Sequence, residues 1–422
     1  MKNVHIALLG LGTVGSGVYK TIQAQRENIE HKEKLSLQIK KVLALNYAFD
    51  IPEEQKAANF DEILADDDIS IVIELMGGIN PAKDFITKAL LAGKTVVTAN
   101  KELIARHWPE LNHAAVSTGA GLYYEASVGG GIPILRTISD SLQANTLNSI
   151  MAIINGTTNF ILTKMSEEGG SYSDVLKEAQ RLGYAEANPK NDVEGFDAAY
   201  KLSILASLAF HARVPFDFIY TEGITKIAAE DIAFAKELGY VIKLLAIGKK
   251  NGHTIEARVH PTMIPFTHPL ASVRGSFNAI FMSGHPIDDL MLYGRGAGDF
   301  PTASAVVSDV INACNVREHK YPSFRNEYDV AKELTFENNW KSEYFIRIIT
   351  EDKPGVLAKV AGIFAKYNVS IATVLQKGRS GQSVPLILVT HMANENSINQ
   401  AAADIKYLPE IIEVANIIRV IS

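Results

Sequence analysis

Residues 4–21 read VHIALLGLGTVGSGVYKT, an apolar run closed by Gly10, Gly12 and Gly15 and continued by a helix-forming segment. A G-x-G-x-x-G pattern that follows a strand and opens a helix is the setting in which dinucleotides are bound. Gly10 permits the tight turn and Gly12 lets the backbone approach a pyrophosphate. Gly15 allows close helix packing, and the phosphate charge falls at the helix N-terminus. The motif alone is weak; the alternating strands and helices after it give it force. LQIKKVLAL at 37–45, ISIVIEL at 69–75 and KTVVTA at 94–99 read as strands, and AKDFITKALLAG, opened by Pro81, reads as a helix. Parallel strands joined by helices predict an α/β, doubly wound Rossmann-type sheet with its ligand crevice at the strands' carboxyl ends.

At the end of the second strand an acid would favour NAD and an arginine NADP, but this chain has Asn46 there, with Lys40 and Lys41 nearby. Alternation along a strand sends at most one of those lysines toward a phosphate, so NAD and NADP both stay open. Asn100 and Lys101 follow the strand at 94–99. A solvated cap is one reading of Lys101; contact with cofactor or substrate oxygen is the other, and its place at the carboxyl edge favours contact.

The densest chemistry lies in RLGYAEANPKNDVEGFDAAYK, residues 181–201. Glu186 follows a glycine-tyrosine turn, Asp192 opens a helix, and Asp197 and Lys201 stand four apart on one helix face. The helix continues as LSILASLAF, so Lys201 sits at the mouth of an apolar element beside a carboxylate. A lysine so placed can donate a proton. An ordinary surface pair, worth only about 0.3–0.5 kcal/mol, is the alternative. The acids clustered upstream favour a substrate carrying an amino group and a reducible oxygen.

GLYYEASVGGGIP at 121–133 admits two readings. The glycines make a hinge with Glu125 satisfied by backbone amides, or they curl the backbone so that its carbonyls and Glu125 form an oxygen shell for a hard cation. Spacing by itself favours the hinge. INGTTNFIL at 154–162 places Gly156 and Thr157 at a helix start, where small polar residues cap free amides and also suit ligand oxygens. MLYGRGAGDFPTASAVVSDVINA at 291–313 is a glycine loop and a long helix, and the helix near 302–316 is expected to pack back on the first domain. Gly298 is then placed to touch the cofactor.

The chain has 422 residues, 47% hydrophobic and 21% charged, with net charge −6. That length implies more than one domain, and the charge leaves no nucleic-acid footprint. No run reaches the roughly 18–20 apolar residues of a membrane span, and MKNVHIALLG reads as a first strand. A single cysteine, Cys314, forbids internal disulfides and points to a reducing cytoplasm; without a neighbouring base it reads as buried filler. The expected layout is a dinucleotide domain over 1–134, an α/β catalytic and dimerisation domain over 135–316, a polar linker over 317–342, and a β-α-β-β-α-β unit of ferredoxin-like type over 343–422.

Taken together, GLGTVG at 10–15, ANK at 99–101, EASVGGGIPI at 125–134, INGTTNFIL, LGYAEANPKNDVEGFDAAYK at 182–201, YGRGAG at 293–298 and DKPGVL at 352–357 resemble homoserine dehydrogenases of the bacterial type with a C-terminal ACT domain. The resemblance covers essentially the whole chain. It implies reversible NAD(P)H-dependent reduction of aspartate 4-semialdehyde to homoserine, with Lys201 as proton donor and Lys101 as a second lysine beside cofactor and substrate. It implies that Glu186, Asp192 and Asp197, with Gly156 and Thr157, serve the substrate. Thr13, Val14, Gly183 and Gly298 match cofactor contacts. Glu125 with the carbonyls of Val128, Gly130 and Ile132 matches a sodium site, which reverses the hinge preference. It further implies threonine as effector at the ACT domain and a homodimer or homotetramer.

Two other functions compete. A thioester-forming aldehyde dehydrogenase needs a cysteine nucleophile at the crevice, and Cys314 is misplaced. A dinucleotide-sensing regulator with an amino-acid-binding ACT domain would leave the acid and lysine cluster idle.

Overall fold

The structure, a computed structural model, describes residues 1–324, 334–376 and 383–421. The chain divides into two units, one of Met1–Ile150, Asp197–Ile219 and Phe277–Lys332, the other of Met151–Phe196, Tyr220–Ser276 and Glu333–Ser422.

In the first unit, β1 (Lys2–Leu9), β2 (Leu35–Leu43), β3 (Ile69–Glu74), β4 (Thr95–Thr98) and β5 (Leu122–Tyr123) form a parallel sheet in the order β2-β1-β3-β4-β5. Pairing sets Leu9 opposite both Leu43 and Glu74, and Glu74 opposite Thr98, so four strands finish level. The order reverses between β1 and β3, and the crevice at such a switch point is where ligands bind. Near-continuous apolar strands such as β1 suit a sheet covered on both faces; Ile6, Leu8, Val42, Ile73 and Val97 are all buried.

The helices Thr13–Ala24 and Asp299–Asn315 share that core, with Val18, Ala303, Val306 and Val310 all fully buried. Their close approach depends on Gly17, where an added Cβ would stand 2.7 Å from the Asp299 carbonyl oxygen. Gly15 faces inward on its own turn, against the carbonyl of Gly10, rather than toward the second helix. Cys314 is half-buried against this core and its thiol is pushed up by burial, as an inert filler should be. An antiparallel hairpin of Phe277–His285 and Asp288–Arg295 also belongs to this unit.

The second unit carries Tyr240–Asn251 antiparallel to Thr254–Pro265. Beside the latter lie, in order, Ile411–Val420, Lys341–Glu351, Ser383–Thr390 and Ile371–Gln376. Those last four, with the helices Val356–Lys366 and Glu395–Ile405, are the β-α-β-β-α-β unit expected from the C-terminal sequence. Their sheet continues the preceding one, because Arg419 and Val420 pair in parallel with Thr262 and Met263. Tyr344, Ile346, Val360, Phe364 and Ile398 make its core. Asn368, at φ +57, takes the left-handed turn just past the first of these helices, a terminating role that asparagine tolerates. Lys243 is buried in the second unit, its ammonium donating to Asn159 Oδ1 at 3.0 Å and to the Val273 carbonyl at 2.6 Å.

The stretch read as a polar linker is anchored by its aromatic residues where it is described. Phe324 is buried beside Trp108, and Tyr321 donates to the Ala120 carbonyl at 2.8 Å. Trp340 is buried between Tyr220 and Arg258. Residues 325–333 of this stretch lie outside the described residues.

Candidate active site

The level carboxyl edge of the first-unit sheet positions Lys101. Glu74, completely buried at the end of β3, accepts the Thr98 hydroxyl at 2.7 Å and the Met76 amide at 2.8 Å. Thr98 Oγ1 in turn accepts the Asn100 amide at 3.0 Å, and Asn100 donates to the Gly78 carbonyl at 2.6 Å. Asn100 Oδ1 caps the helix Lys101–Thr118 by accepting Leu103 N at 3.1 Å. Burial raises the Glu74 pKa, against hydrogen bonds that lower it. Lys101 is therefore the first residue of a capped helix braced from three sides.

The helix Phe196–Phe210 is predominantly apolar, and every residue from Asp197 onward is buried, Asp197 and Lys201 included. Its four-residue spacing brings Lys201 Nζ to 2.7 Å from Asp197 Oδ2. Lys101 Nζ lies 2.9 Å from Oδ1 of the same carboxylate. Side-chain exposure separates the two lysines, 10% for Lys201 and 41% for Lys101. A further brace joins their helices, since Tyr200 donates to Glu102 at 3.1 Å and accepts from Arg106 at 3.0 Å. One carboxylate thus holds two ammonium groups side by side, each a group with proton-donating capacity.

The dinucleotide turn follows from its glycines. Gly10 sits at φ +94, and an added Cβ there would stand 2.7 Å from the Leu75 carbonyl oxygen. Gly12, which precedes the helix carrying Thr13, Val14 and Gly15, has open space where a Cβ would point, as a backbone that receives a ligand requires. Gly298, at φ +124, precedes the helix Asp299–Asn315. Beyond the second strand, Asn46 is exposed, while both nearby lysines are committed elsewhere. Lys40 binds Asp66 and Asp68 at 2.8 and 2.9 Å, and Lys41 binds Glu62 at 2.5 Å.

In the second unit, Asn155 rather than Gly156 or Thr157 caps the helix Gly156–Glu168, accepting Thr158 N at 2.8 Å. Asn155 also donates to Asp192 Oδ1 at 2.7 Å, and Thr157 donates to the Tyr184 carbonyl at 2.6 Å. Asp192, Asn155 and Thr157 are therefore brought together. Gly156 packs close to the Ser276 carbonyl. Glu186 and Gly183 are exposed; Gly183, at φ +79, ends the helix Tyr172–Arg181, and the Glu186 carbonyl accepts from Gln180 at 3.1 Å. Sequence reasoning misses Asn155, although its place at a helix N-cap beside Gly156 is a usable signal.

Glu125 is buried, with one oxygen accepting Leu135 N at 2.9 Å and the other Arg136 N at 2.7 Å. The backbone amides named in the hinge reading are therefore present. Burial pushes this carboxyl up to about 7 despite those donors. Asp309 accepts the Glu125 amide at 2.9 Å and is pushed up to about 8, first by burial and then by the charge of Glu125. A cavity of about 380 Å³ opens beside them, lined also by Tyr123, Arg136 and His319. Among the described residues no group of three or more His, Cys, Asp or Glu side chains is placed to hold a metal ion. Val128, Gly130 and Ile132, the residues expected to offer carbonyls to a cation, follow Glu125 closely in the chain, and the Ile132 carbonyl accepts the Ile134 amide at 2.8 Å. Asp309 carries no sequence signal, lying in an ordinary amphipathic run.

Among the described residues no helix is long and apolar enough to cross a membrane. Family models match three stretches: the homoserine dehydrogenase NAD binding domain at 10–125, homoserine dehydrogenase at 133–311 and the ACT domain at 344–410. A Bacillus subtilis protein named homoserine dehydrogenase is 40% identical over 432 residues, covering 100% of this chain and 99% of its own. A crystal structure of a homoserine dehydrogenase from Thiobacillus denitrificans aligns with TM-score 0.93 and 38% identity, over 100% of this chain and 99% of that one. A hyperthermophilic archaeal homoserine dehydrogenase in complex with NADPH aligns with TM-score 0.63 and 28% identity, over 76% of this chain and 100% of that one.

Proposed function

The chain belongs to the homoserine dehydrogenase family, NAD(P)-dependent oxidoreductases of amino-acid biosynthesis, and from that premise we propose how its own residues divide the work. Lys201 is the proton donor to the aldehyde oxygen of aspartate 4-semialdehyde, and Lys101 is the second lysine, beside cofactor and substrate. The observation that carries this reading is the shared carboxylate of Asp197, which fixes both ammonium groups within 2.9 Å of its oxygens. When bound, the nicotinamide cofactor supplies the hydride. Negative charge then develops on the carbonyl oxygen, and a positioned ammonium both stabilises it and supplies the proton.

Glu186, Asp192 and Asp197 orient the substrate, Glu186 through its amino group; Gly156 and Thr157 belong to the same set. Fixing the substrate's charged groups is a contribution to positioning, not to proton transfer. Gly10, Gly12, Thr13, Val14, Gly15, Lys101, Gly183 and Gly298 hold NAD or NADP. Glu125 and the carbonyls of Val128, Gly130 and Ile132 hold sodium as a structural ion. The ACT domain takes threonine as effector, the active species is a homodimer or homotetramer, and the protein works in the cytoplasm. The decisive assay measures oxidation of NADPH and NADH with aspartate semialdehyde. Cofactor oxidation that depends on the semialdehyde supports the reading, and its absence in folded protein refutes it.

A further inference from the structure

Within the second unit, a short run of contacts leads from the C-terminal domain to Asp192. Arg419 is buried at 4% exposure and is held by Glu222, by both oxygens of Glu395 and by the Tyr220 hydroxyl at 3.0 Å. Burial works against its charge, and the carboxylates of Glu395 and Glu222 more than offset this, so its pKa is raised. Glu222 also accepts the Tyr220 hydroxyl at 2.9 Å, and its own amide is fixed to the Val259 carbonyl at 2.8 Å. The next residue is Gly223. An added Cβ there would overlap the Val193 carbonyl and stand 2.5 Å from the Glu194 α-carbon. Ile224 N then donates to the same Val193 carbonyl at 2.8 Å. Val193 is the neighbour of Asp192, and both lie in the short helix Lys190–Val193.

This run is tightly packed against Val193 on one side and open on another. A cavity of about 840 Å³ is lined by Glu194, Glu222, Gly223, Arg347, Asn416 and Arg419 among others. On the open side the Glu222 side chain is held by its bonds to Arg419 and Tyr220, and Gly223, next in the chain, makes the close contact with Val193.

We propose that Glu222 is a positioning residue: its ion pair to Arg419 seats Gly223 against Val193, and so lets the C-terminal domain set the affinity of the Asp192 segment for substrate. This rests on the reading of Asp192 as a substrate residue. The substitution Glu222→Gln is suited to the test because Arg419 keeps Glu395 and is not left as an unpaired buried charge.

In the full-length protein, Glu222→Gln should raise KM for aspartate semialdehyde about 10-fold, with kcat and the cofactor KM within about two-fold of wild type. Glu222→Asp, which keeps the charge, should recover part of the loss. Gly223→Ala, which displaces Val193 without touching the ion pair, should give the same split. A folded Glu222→Gln protein with unchanged substrate KM overturns the proposal, as does a parallel rise in both KM values. Should the variants fail to fold, hydrogen exchange of the wild type decides: saturating homoserine should slow exchange at residues 222–224 and 417–420, since coupling is reciprocal. Unchanged exchange at those amides, in protein that demonstrably binds homoserine, also overturns it. A wild type with no semialdehyde turnover would instead refute the functional reading beneath.

Discussion

Lys101 and Lys201, far apart in the chain, meet on the two oxygens of one buried carboxylate, at 2.9 and 2.7 Å from Asp197. The Lys201 contact is not a surface pair of the weak kind, because its two side chains are only 10% and 6% exposed, whereas the Lys101 ammonium reaches the same carboxylate from the solvent side. The arrangement fixes where each ammonium points. Lys201→Met keeps the length of the stem and removes the donor, so kcat should fall on the order of 10²–10⁴-fold with cofactor affinity near normal. Single-turnover rates and cofactor titration check this, and near-normal turnover in folded protein would refute the assignment.

Cofactor choice follows from what the second strand lacks. Lys40 and Lys41 are paired with Asp66, Asp68 and Glu62, so a 2′-phosphate would have to compete with those carboxylates for them, and Asn46 carries no charge. NADH and NADPH should both be used, with kcat/KM values within roughly 10³ of one another, about 4 kcal/mol. Replacing Lys40 by alanine should leave that ratio unchanged. A ratio that collapses in the variant would mean that Lys40 reaches the phosphate after all.

Sodium at Glu125 is open to a separate measurement. Glu125 is a buried carboxylate whose donors are neutral amides, so its charge is incompletely compensated by the protein. Sodium chloride should raise Tm relative to choline chloride at equal ionic strength, and the difference should vanish in Glu125→Gln. Equal melting in both salts for the wild type would favour the hinge reading instead.

Much of the fold and site is legible in the sequence because its signals are local. The glycine turn at residues 10–15, the four-residue step from Asp197 to Lys201 and the C-terminal alternation each declare themselves within a few residues. What escapes is set by tertiary contact. Gly17 looks like any helix glycine until the Asp299 carbonyl is found against it. Asp309 looks like a solvated helix residue until it accepts the Glu125 amide. The polar stretch after residue 317 hides Phe324 and Trp340, whose burial no composition window can foresee.

Lys243 supplies a pH dependence. Burial lowers its pKa from 10.5 to about 8, so between these values the unfolded chain holds a proton that the folded chain has shed. Stability therefore rises with pH across that window, and the full penalty is present below about 8. The shift corresponds to on the order of 3 kcal/mol, at about 1.36 kcal/mol per unit. Lys243→Met should flatten the rise in unfolding free energy between pH 7 and 10, whatever its effect at a single pH. Urea titrations of the two proteins at both pH values measure the difference, and parallel curves would refute the assignment.

Threonine inhibition through the ACT domain invites the removal of residues after Trp340, but the structure makes that cut consequential. Asp231 is completely buried and is satisfied by Arg347 Nε at 2.6 Å, by Asn416 at 2.8 Å and by the Ala228 amide at 2.9 Å; the first two partners lie in the domain removed. Truncation also uncovers the edge of Thr254–Pro265 that pairs with Arg419 and Val420, and an open strand edge invites aggregation. Water reaches Asp231 once the whole domain is gone, so its carboxylate is resolvated. In Arg347→Met it stays buried without its cation, which typically costs about 3–5 kcal/mol. The truncated protein should therefore retain semialdehyde reduction, lose inhibition by millimolar threonine and show a greater tendency to aggregate, while Arg347→Met should be the more destabilised on urea unfolding. Threonine inhibition that survives the truncation, or is absent from the intact chain, would remove the ACT domain from regulation. An Arg347→Met protein as stable as wild type would mean that the Asp231 pair contributes little to holding this junction together.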